Sequence, residues 1–542
     1  MANVKTRCMF CSMQDSFYLQ EKPRSQSATW GPDSIYYLEF DDEQTRGLCG
    51  RGNFCGELAV HKKRIFTPRT GWEHKSLESV ASDLRNALED LPGERIAVFL
   101  DGSLTLEEAA KAIAFAEKLG TKKIALLPAE DIALGPIDND FAFDDIDKAN
   151  TNIIIGDAFT QSPTITRLVH DSRTLGRNHT SITIDQIRCR TGWFGRPELV
   201  PPIGETARLL DTLTEAVNGR PFDDIPFDKF GVSADDFGWA VSAIKAAAGN
   251  GNIVFAPGWH FCDPYSVAIA AKKLAKAAGM KFGALTIGSN SRGIFRLLAP
   301  AGADYIGAYK ALYDGSLDAV IAFDCDPVSA MPGSKLPKVF AMTGQLPTEG
   351  FEIVSHYLPS TFLFEKRGTL FGTENDFIIL KKAMSSPGLI SAGDIIDAIA
   401  GESLVPPVSV REIIGAFEAG ETHPIPAGQF PDDDFIGVGH GHVFHHSDGR
   451  YTRHLEFPKL HVPKEIDAAI ISPELAQSLG ISPDNRITVS NVNGSAELGV
   501  IVMNWVDENI ILLPMHFTAA RALFNFAKNP IGGPVGIKIE KA

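Results

Sequence analysis

Four of the seven cysteines fall within residues 1–65, Cys8 and Cys11 in CMFC and Cys49 and Cys55 in LCGRGNFC, while Cys189, Cys262 and Cys325 are scattered singly. Four thiols on two short stretches, with a loop-length insert between them, have the makings of a metal or iron–sulfur cage. The residues leave three readings open. Cys8, Cys11, Cys49 and Cys55 bind zinc or a [4Fe–4S] cluster; Cys8, Cys11 and Cys49 act with the carboxylate of Asp15; or the thiols are reduced and structural. Zinc cages usually supply two close ligand pairs, and the gap from Cys49 to Cys55 is looser than that. The GRG after Cys49 offers backbone N–H groups to cluster sulfurs, and Arg51 sets a positive charge beside an anionic centre.

The elements that must position these groups change along the chain. Residues 1–65 read as a small N-terminal [4Fe–4S] domain, with SFYLQ (16–20) and SIYYLEF (34–40) as short strands around a loop. So small a segment buries little apolar surface and draws much of its stability from bound metal. A first α/β domain is expected over 66–247. It holds a helix over SLESVASDLRNALEDL (76–91), a buried strand in RIAVFL (95–100), and a helix opened by the capping box of Thr105 and Glu108. TNIIIGDAF (151–159) leads its strand into Gly156 and Asp157, and SITID (181–185) ends in Asp185. Both are ligand positions at the carboxyl ends of parallel strands, although an acid there can equally cap a turn.

A second α/β domain is expected over 248–400, with strands in GNIVFAPGW (251–259), SLDAVIAFDCDP (316–327) and KVFAMTG (338–344), and a glycine-containing loop GSNSRG (288–293). Residues 401–461 read as an extended linker region. Their His440, His442, His445 and His446 sit among glycines without the helical spacing or carboxylate bracket of a metal site. The last segment, 462–542, has short alternating runs and a turn at Asn493–Gly494, and reads as a β-rich, six-stranded barrel domain.

A chain of 542 residues, 44% apolar and 22% charged, is that of a multidomain globular protein. The net charge of −16, with no basic stripe, argues against nucleic-acid binding. No apolar run is long enough for a direct membrane span. The start, MANVKTRCMFCSMQDS, has no apolar signal region, so a cytoplasmic location with reduced cysteines is expected.

Taken in order, these segments resemble the molybdopterin (bis-pyranopterin guanine dinucleotide) oxidoreductases, a family that includes formate dehydrogenases and the large iron–sulfur subunit of NADH–quinone oxidoreductase. CMFC and LCGRG resemble the first, second and fourth cysteines of the family's [4Fe–4S] motif, with Asp15 at the place of the third. NIIIGDAFTQSP (152–163) is similar to its Gly-x-Asn loop, with Ala158 where the Asn is expected. ITIDQIRCRTGW (182–193) and EKRGTLFGTEND (365–376) are similar to two further family loops, and the terminal segment to its dinucleotide-binding barrel.

The resemblance implies a multidomain α/β molybdopterin-oxidoreductase fold and a [4Fe–4S] cluster on Cys8, Cys11, Cys49 and Asp15, with Cys55 as the alternative to Asp15. It also implies pterin guanine dinucleotide sites near Gly156, Asp157, Asp185, Gly288, Asp324, Thr343 and His516, with His170, Arg188 and Arg190 as weaker anion contacts. The family's usual metal ligand is missing: residues 122–151 contain no cysteine, histidine or serine, and offer only loop aspartates such as Asp131 and Asp138. The leading expectation is therefore an iron–sulfur electron-transfer subunit of a larger redox complex, partnered by subunits carrying flavin or Fe–S clusters. The alternatives are a catalytic molybdenum or tungsten bis-pterin enzyme acting on formate or another small substrate, and a zinc-stabilised non-redox scaffold.

Overall fold

Short runs of Ile, Val, Phe and Ala, bounded by glycine or acidic residues, form buried parallel strands, and the amphipathic stretches between them form the covering helices. The structure is a computed structural model. It describes residues 4–23, 34–41, 43, 46–175, 179–247, 249–406, 408–418, 424–425, 427–428, 430–455, 467–483, 485–526, 529 and 531–542. Most of the loop expected between the two N-terminal strands, and the end of the expected linker at 456–461, lie outside the described residues.

Two sheets form the body, the larger parallel except for antiparallel pairings of Arg69–Thr70 with both its neighbours, the smaller parallel throughout. The larger has seven strands, with the order Glu73–His74, Arg69–Thr70, His356–Pro359, Val339–Gly344, Ala319–Phe323, Ile96–Asp101 and Ile124–Leu127. The smaller has five, with the order Glu198–Leu199, Thr180–Ile184, Thr151–Ile155, Gly251–Phe255 and Lys281–Ala284, all parallel. The chain starts the larger sheet, leaves it to build the smaller, and returns at Ala319. The boundary expected between residues 247 and 248 therefore does not separate two sheets, because strands on either side of it pair with each other. Fully buried parallel strands all read as apolar runs, so their spatial order leaves little trace in their composition.

The helix Leu106–Lys118 starts on the expected capping box of Thr105 and Glu108. A closed six-stranded barrel ends the chain, built from Phe435–His440, Ile510–Pro514, Ala468–Ile471, Gly494–Val502, Arg486–Asn491 and Val535–Lys541. Its first strand lies in the segment expected to be linker. Ile436 and Val438 alternate into a core with Ile510 and Leu512, an apolar alternation that the surrounding histidines and glycines obscure.

At the other end, Val4–Arg7, Ser16–Pro23 and Ser34–Phe40 form a three-stranded antiparallel sheet. Its core is shared: Cys8, Phe10, Phe17 and Cys55 are buried together with Phe362, Phe364 and Tyr451. Among the described residues no helix is long and apolar enough to cross a membrane.

Candidate functional site

The cysteines lie on two elements that pack together. The strand Val4–Arg7 runs into a loop closed by the Cys8 N–H donating to the Asp15 carbonyl at 2.8 Å. Cys49 and Cys55 bracket the helix Gly50–Phe54. Cys8 and Cys55 are buried in one core, and the neighbouring Cys55 thiol, followed by burial, holds the Cys8 thiol well above its usual range. Burial pushes Cys11 up to about 12 and also raises Cys49, while the Arg51 guanidinium pulls both down. Cys11 and Cys49 sense each other and Cys8 electrostatically.

Arg51 is 2% exposed and donates to the carbonyl oxygens of His445, Thr160 and Gln161 at 2.9, 3.1 and 2.7 Å. It has no carboxylate partner among the described residues, and its Nε–H is buried without an acceptor. A buried cation lacking a counter-charge is costly, and thiolates or an anionic cluster would supply one. The donor set therefore fits a cluster.

Asp15 is turned to other work. Its carboxylate accepts from Arg46 Nε at 2.7 Å and from the Thr164 hydroxyl at 3.0 Å. The carboxylate that the sequence register offers as a fourth ligand is thus held at both oxygens by a guanidinium and a hydroxyl. Among the described residues no group of three or more His, Cys, Asp or Glu side chains is placed to hold a single metal ion, the geometry a zinc cage requires.

The residues expected to bind nucleotide divide between the carboxyl ends of the two sheets. At the smaller sheet, Gly156 has φ +81°, and a Cβ there would lie 2.2 Å from the Ala256 carbonyl oxygen. Asp157 accepts from the Thr191 hydroxyl. Asp185 pairs with His260 Nε2 at 2.6 Å and also takes a hydrogen bond from the Cys189 thiol. At the larger sheet, Asp324 meets Lys366 Nζ and the Thr343 hydroxyl, each at 2.8 Å. Its burial in this network is complete enough that Lys366 is held well above the usual lysine range by Asp324 and Glu108, against the opposing effect of desolvation. His516 stacks on His445 with ring centroids 4.4 Å apart. His170, Arg188 and Arg190 are exposed.

Asp131 and Asp138 are also accounted for. The Ile287 and Gly288 N–H groups donate to the two Asp131 oxygens, each at 2.7 Å, and Asp138 pairs with Arg296 at 2.5 Å. Asp131 thus fastens the Gly288 loop to the larger sheet.

A cleft of about 40 Å³ opens where the carboxyl ends of Ile96–Asp101 and Ile124–Leu127 face the C-terminal segment. Asp101, Glu130, Asp448, Arg450 and Arg521 line it, beside Gly102 and Gly288. Of these only Gly288 was singled out by sequence. Asp101–Gly102 carries the same strand-ending acid and glycine as Gly156–Asp157, so it was open to detection; Glu130, in a 3₁₀ turn, and Arg521 carry no comparable mark.

Gly102 and Gly288 pass so closely that a Cβ on Gly288 would stand 2.8 Å from the Gly102 Cα, and the Ser289 hydroxyl is buried without a partner among the described residues. Close glycine backbone, a spare hydroxyl and two guanidiniums suit an anionic nucleotide in kind.

Residues 439–534 match the family model of the Molydopterin dinucleotide binding domain. None of the curated proteins matches the chain in sequence. Among solved structures, acetylene hydratase from Pelobacter acetylenicus has a similar fold, with a TM-score of 0.74 and 13% identity over 99% of this chain and 100% of that one.

Proposed function

We propose that the chain is an oxidoreductase that binds a molybdopterin dinucleotide carrying molybdenum or tungsten in the cleft between the larger sheet and the C-terminal segment. One observation carries this reading: His446, Asp448, Arg450 and Arg521, all within the matched dinucleotide-binding residues, line the same cleft as Asp101, Gly102 and Gly288 from the sheet's loops. Gly102, Gly288, Ser289 and Arg521 would hold the nucleotide's polar part. When bound, the group supplies two-electron exchange at its metal. The chain's own residues orient it: Asp131 fixes the Gly288 loop, and Arg450, paired with Asp101, joins the sheet to the C-terminal segment.

A second reading, an iron–sulfur electron relay serving partner subunits with flavin or Fe–S clusters, is favoured by the four-cysteine site and the unpaired cation at Arg51. The two readings are compatible if the cluster passes electrons from the cleft singly.

Metal analysis of protein purified without oxygen tests both. Iron with molybdenum or tungsten supports the enzyme, iron alone supports the relay, and zinc alone overturns both.

A further inference from the structure

Two strand edges beside the N-terminal sheet are left without a neighbour. Val4–Arg7 pairs with Ser16–Pro23 on one side only, and Phe377–Leu380 with Gly368–Phe371 on one side only. Among the described residues, the far edge of each therefore offers backbone N–H and C=O groups with no strand to meet them. The two edges face each other across open grooves of about 310 and 580 Å³. Lys5, Thr6 and Arg7 line the first opposite residues 376–381; Val4 lines the second opposite residues 379–382 and 367–369. Ile378 and Leu380 pack against the core that holds Cys8 and Phe17, whereas Ile379, between them in the alternation, is 55% exposed and lines both grooves. Thr6 is 1% exposed, and its hydroxyl is buried without a partner among the described residues. A buried hydroxyl left unpaired is costly, and a strand backbone laid in the groove supplies the missing bond.

The charge of the groove selects among strands. The chain as a whole carries −16, yet this surface is basic. Arg367, Lys381 and Lys382 are exposed along it and form no ion pair among the described residues. Arg7 donates to the Gln14 carbonyl at 3.0 Å and likewise forms no ion pair there, while Lys5 is neutralised by Asp41 and Glu43 at 2.6 and 2.9 Å. Of the groove's acids, Glu107 accepts from the Thr369 N–H and hydroxyl at 2.8 and 2.7 Å, and Asp376 acts on Arg7. Arg7, Arg367, Lys381 and Lys382 thus outnumber Glu107 and Asp376. A positive groove on a negative molecule draws acidic chain to this place and repels it elsewhere. Lysines on an edge also deter pairing between like edges, which makes a second copy of this chain the poorer occupant.

We infer that this groove takes an extended acidic segment of a partner protein as an added strand, laid between Val4–Arg7 and Phe377–Leu380. Its backbone pairs with the two free edges, an apolar side chain covers Ile379, and its carboxylates meet Lys381, Lys382 and Arg367. The site is separate from the dinucleotide cleft and stands whether or not a pterin is bound there.

The test is binding of a fluorescein-labelled heptapeptide of alternating glutamate and valine to the full chain, followed by anisotropy at concentrations where the peptide is monomeric. Amide hydrogen exchange read by mass spectrometry over residues 4–7 and 377–380 is the second readout. In the free chain the outward amides of both segments exchange fast; the peptide slows them and leaves the barrel strands unchanged. Added salt weakens binding. Lys381→Glu/Lys382→Glu, on the surface, weakens it about tenfold, and Thr6→Val about fivefold. The lysine–valine counterpart does not bind, nor does the acidic peptide with N-methylated valines, which keeps the charge but cannot pair. Failure of the acidic peptide to bind, binding of its N-methylated form, or wild-type affinity in Lys381→Glu/Lys382→Glu overturns the inference. So does slow exchange of both segments in the free chain, the sign of a groove already filled.

Discussion

Cys8 and Cys55 are buried in one core, one at the end of the first strand and the other at the end of the helix that follows Cys49. Asp15, at the register position of a missing cysteine, points its carboxylate at Arg46 and Thr164 instead. Cys55→Ser is therefore expected to lose most of its iron after oxygen-free reconstitution, and Asp15→Asn to keep it. Iron content and EPR of the reduced proteins check this; the opposite pattern restores Asp15 as ligand.

Lys366, Asp324 and Glu108 form a buried charge network, with Lys366 Nζ 2.8 Å from Asp324 and 3.0 Å from Glu108. Lys366→Met strands two buried carboxylates and should cost about 3–5 kcal/mol of stability. Urea denaturation measures it. A loss below about 1 kcal/mol would mean that water reaches the network.

Gly156 combines a left-handed backbone with a Cβ position 2.2 Å from the Ala256 carbonyl oxygen. Gly156→Ala pays at least ~1–2 kcal/mol for the backbone alone, and more for the clash. Thermal melting should show a clear fall, against little change for Gly415→Ala, where the backbone is not left-handed and a Cβ meets nothing within 4 Å.

Burial lowers His442 to about 4 and His445 and His446 to about 3, with Arg51 adding to each. These groups stay neutral in the folded chain while the unfolded chain takes up protons from its ordinary histidine range downward. Stability present above about pH 6.5 is thus lost as pH falls toward 4–3. Melting temperatures across that range should fall less steeply for His442→Gln/His445→Gln than for the wild type.

How much was legible depended on how local each feature is. The capping box at Thr105 and Glu108 and the strand-ending Gly156 are written in a few adjacent residues, and the structure contains both, while the turn expected at Asn493–Gly494 falls one residue earlier, at Val492–Asn493, with Gly494 already paired to Asn491. The pairing of Ala319–Phe323 with Ile96–Asp101 is not, because both are uniformly buried runs that fit several neighbours. Phe435–His440 was hidden by its histidines and glycines, although Ile436 and Val438 carry the alternation of a barrel strand. Near the cysteines, spacing kept Asp15 in register; only the positions of Arg46 and Thr164 show that its carboxylate is occupied. Arg521 was out of reach of sequence, since only the fold brings it to the cleft beside Glu130 and Asp448.

The most direct measurement is the release of cofactor from protein produced in a host that makes molybdopterin. Acid treatment followed by mass spectrometry and pterin fluorescence should yield an oxidised pterin together with a guanine nucleotide, in stoichiometric proportion to the chain. Protein that is folded and carries iron but releases neither would contradict the dinucleotide cleft and leave the iron–sulfur relay standing alone.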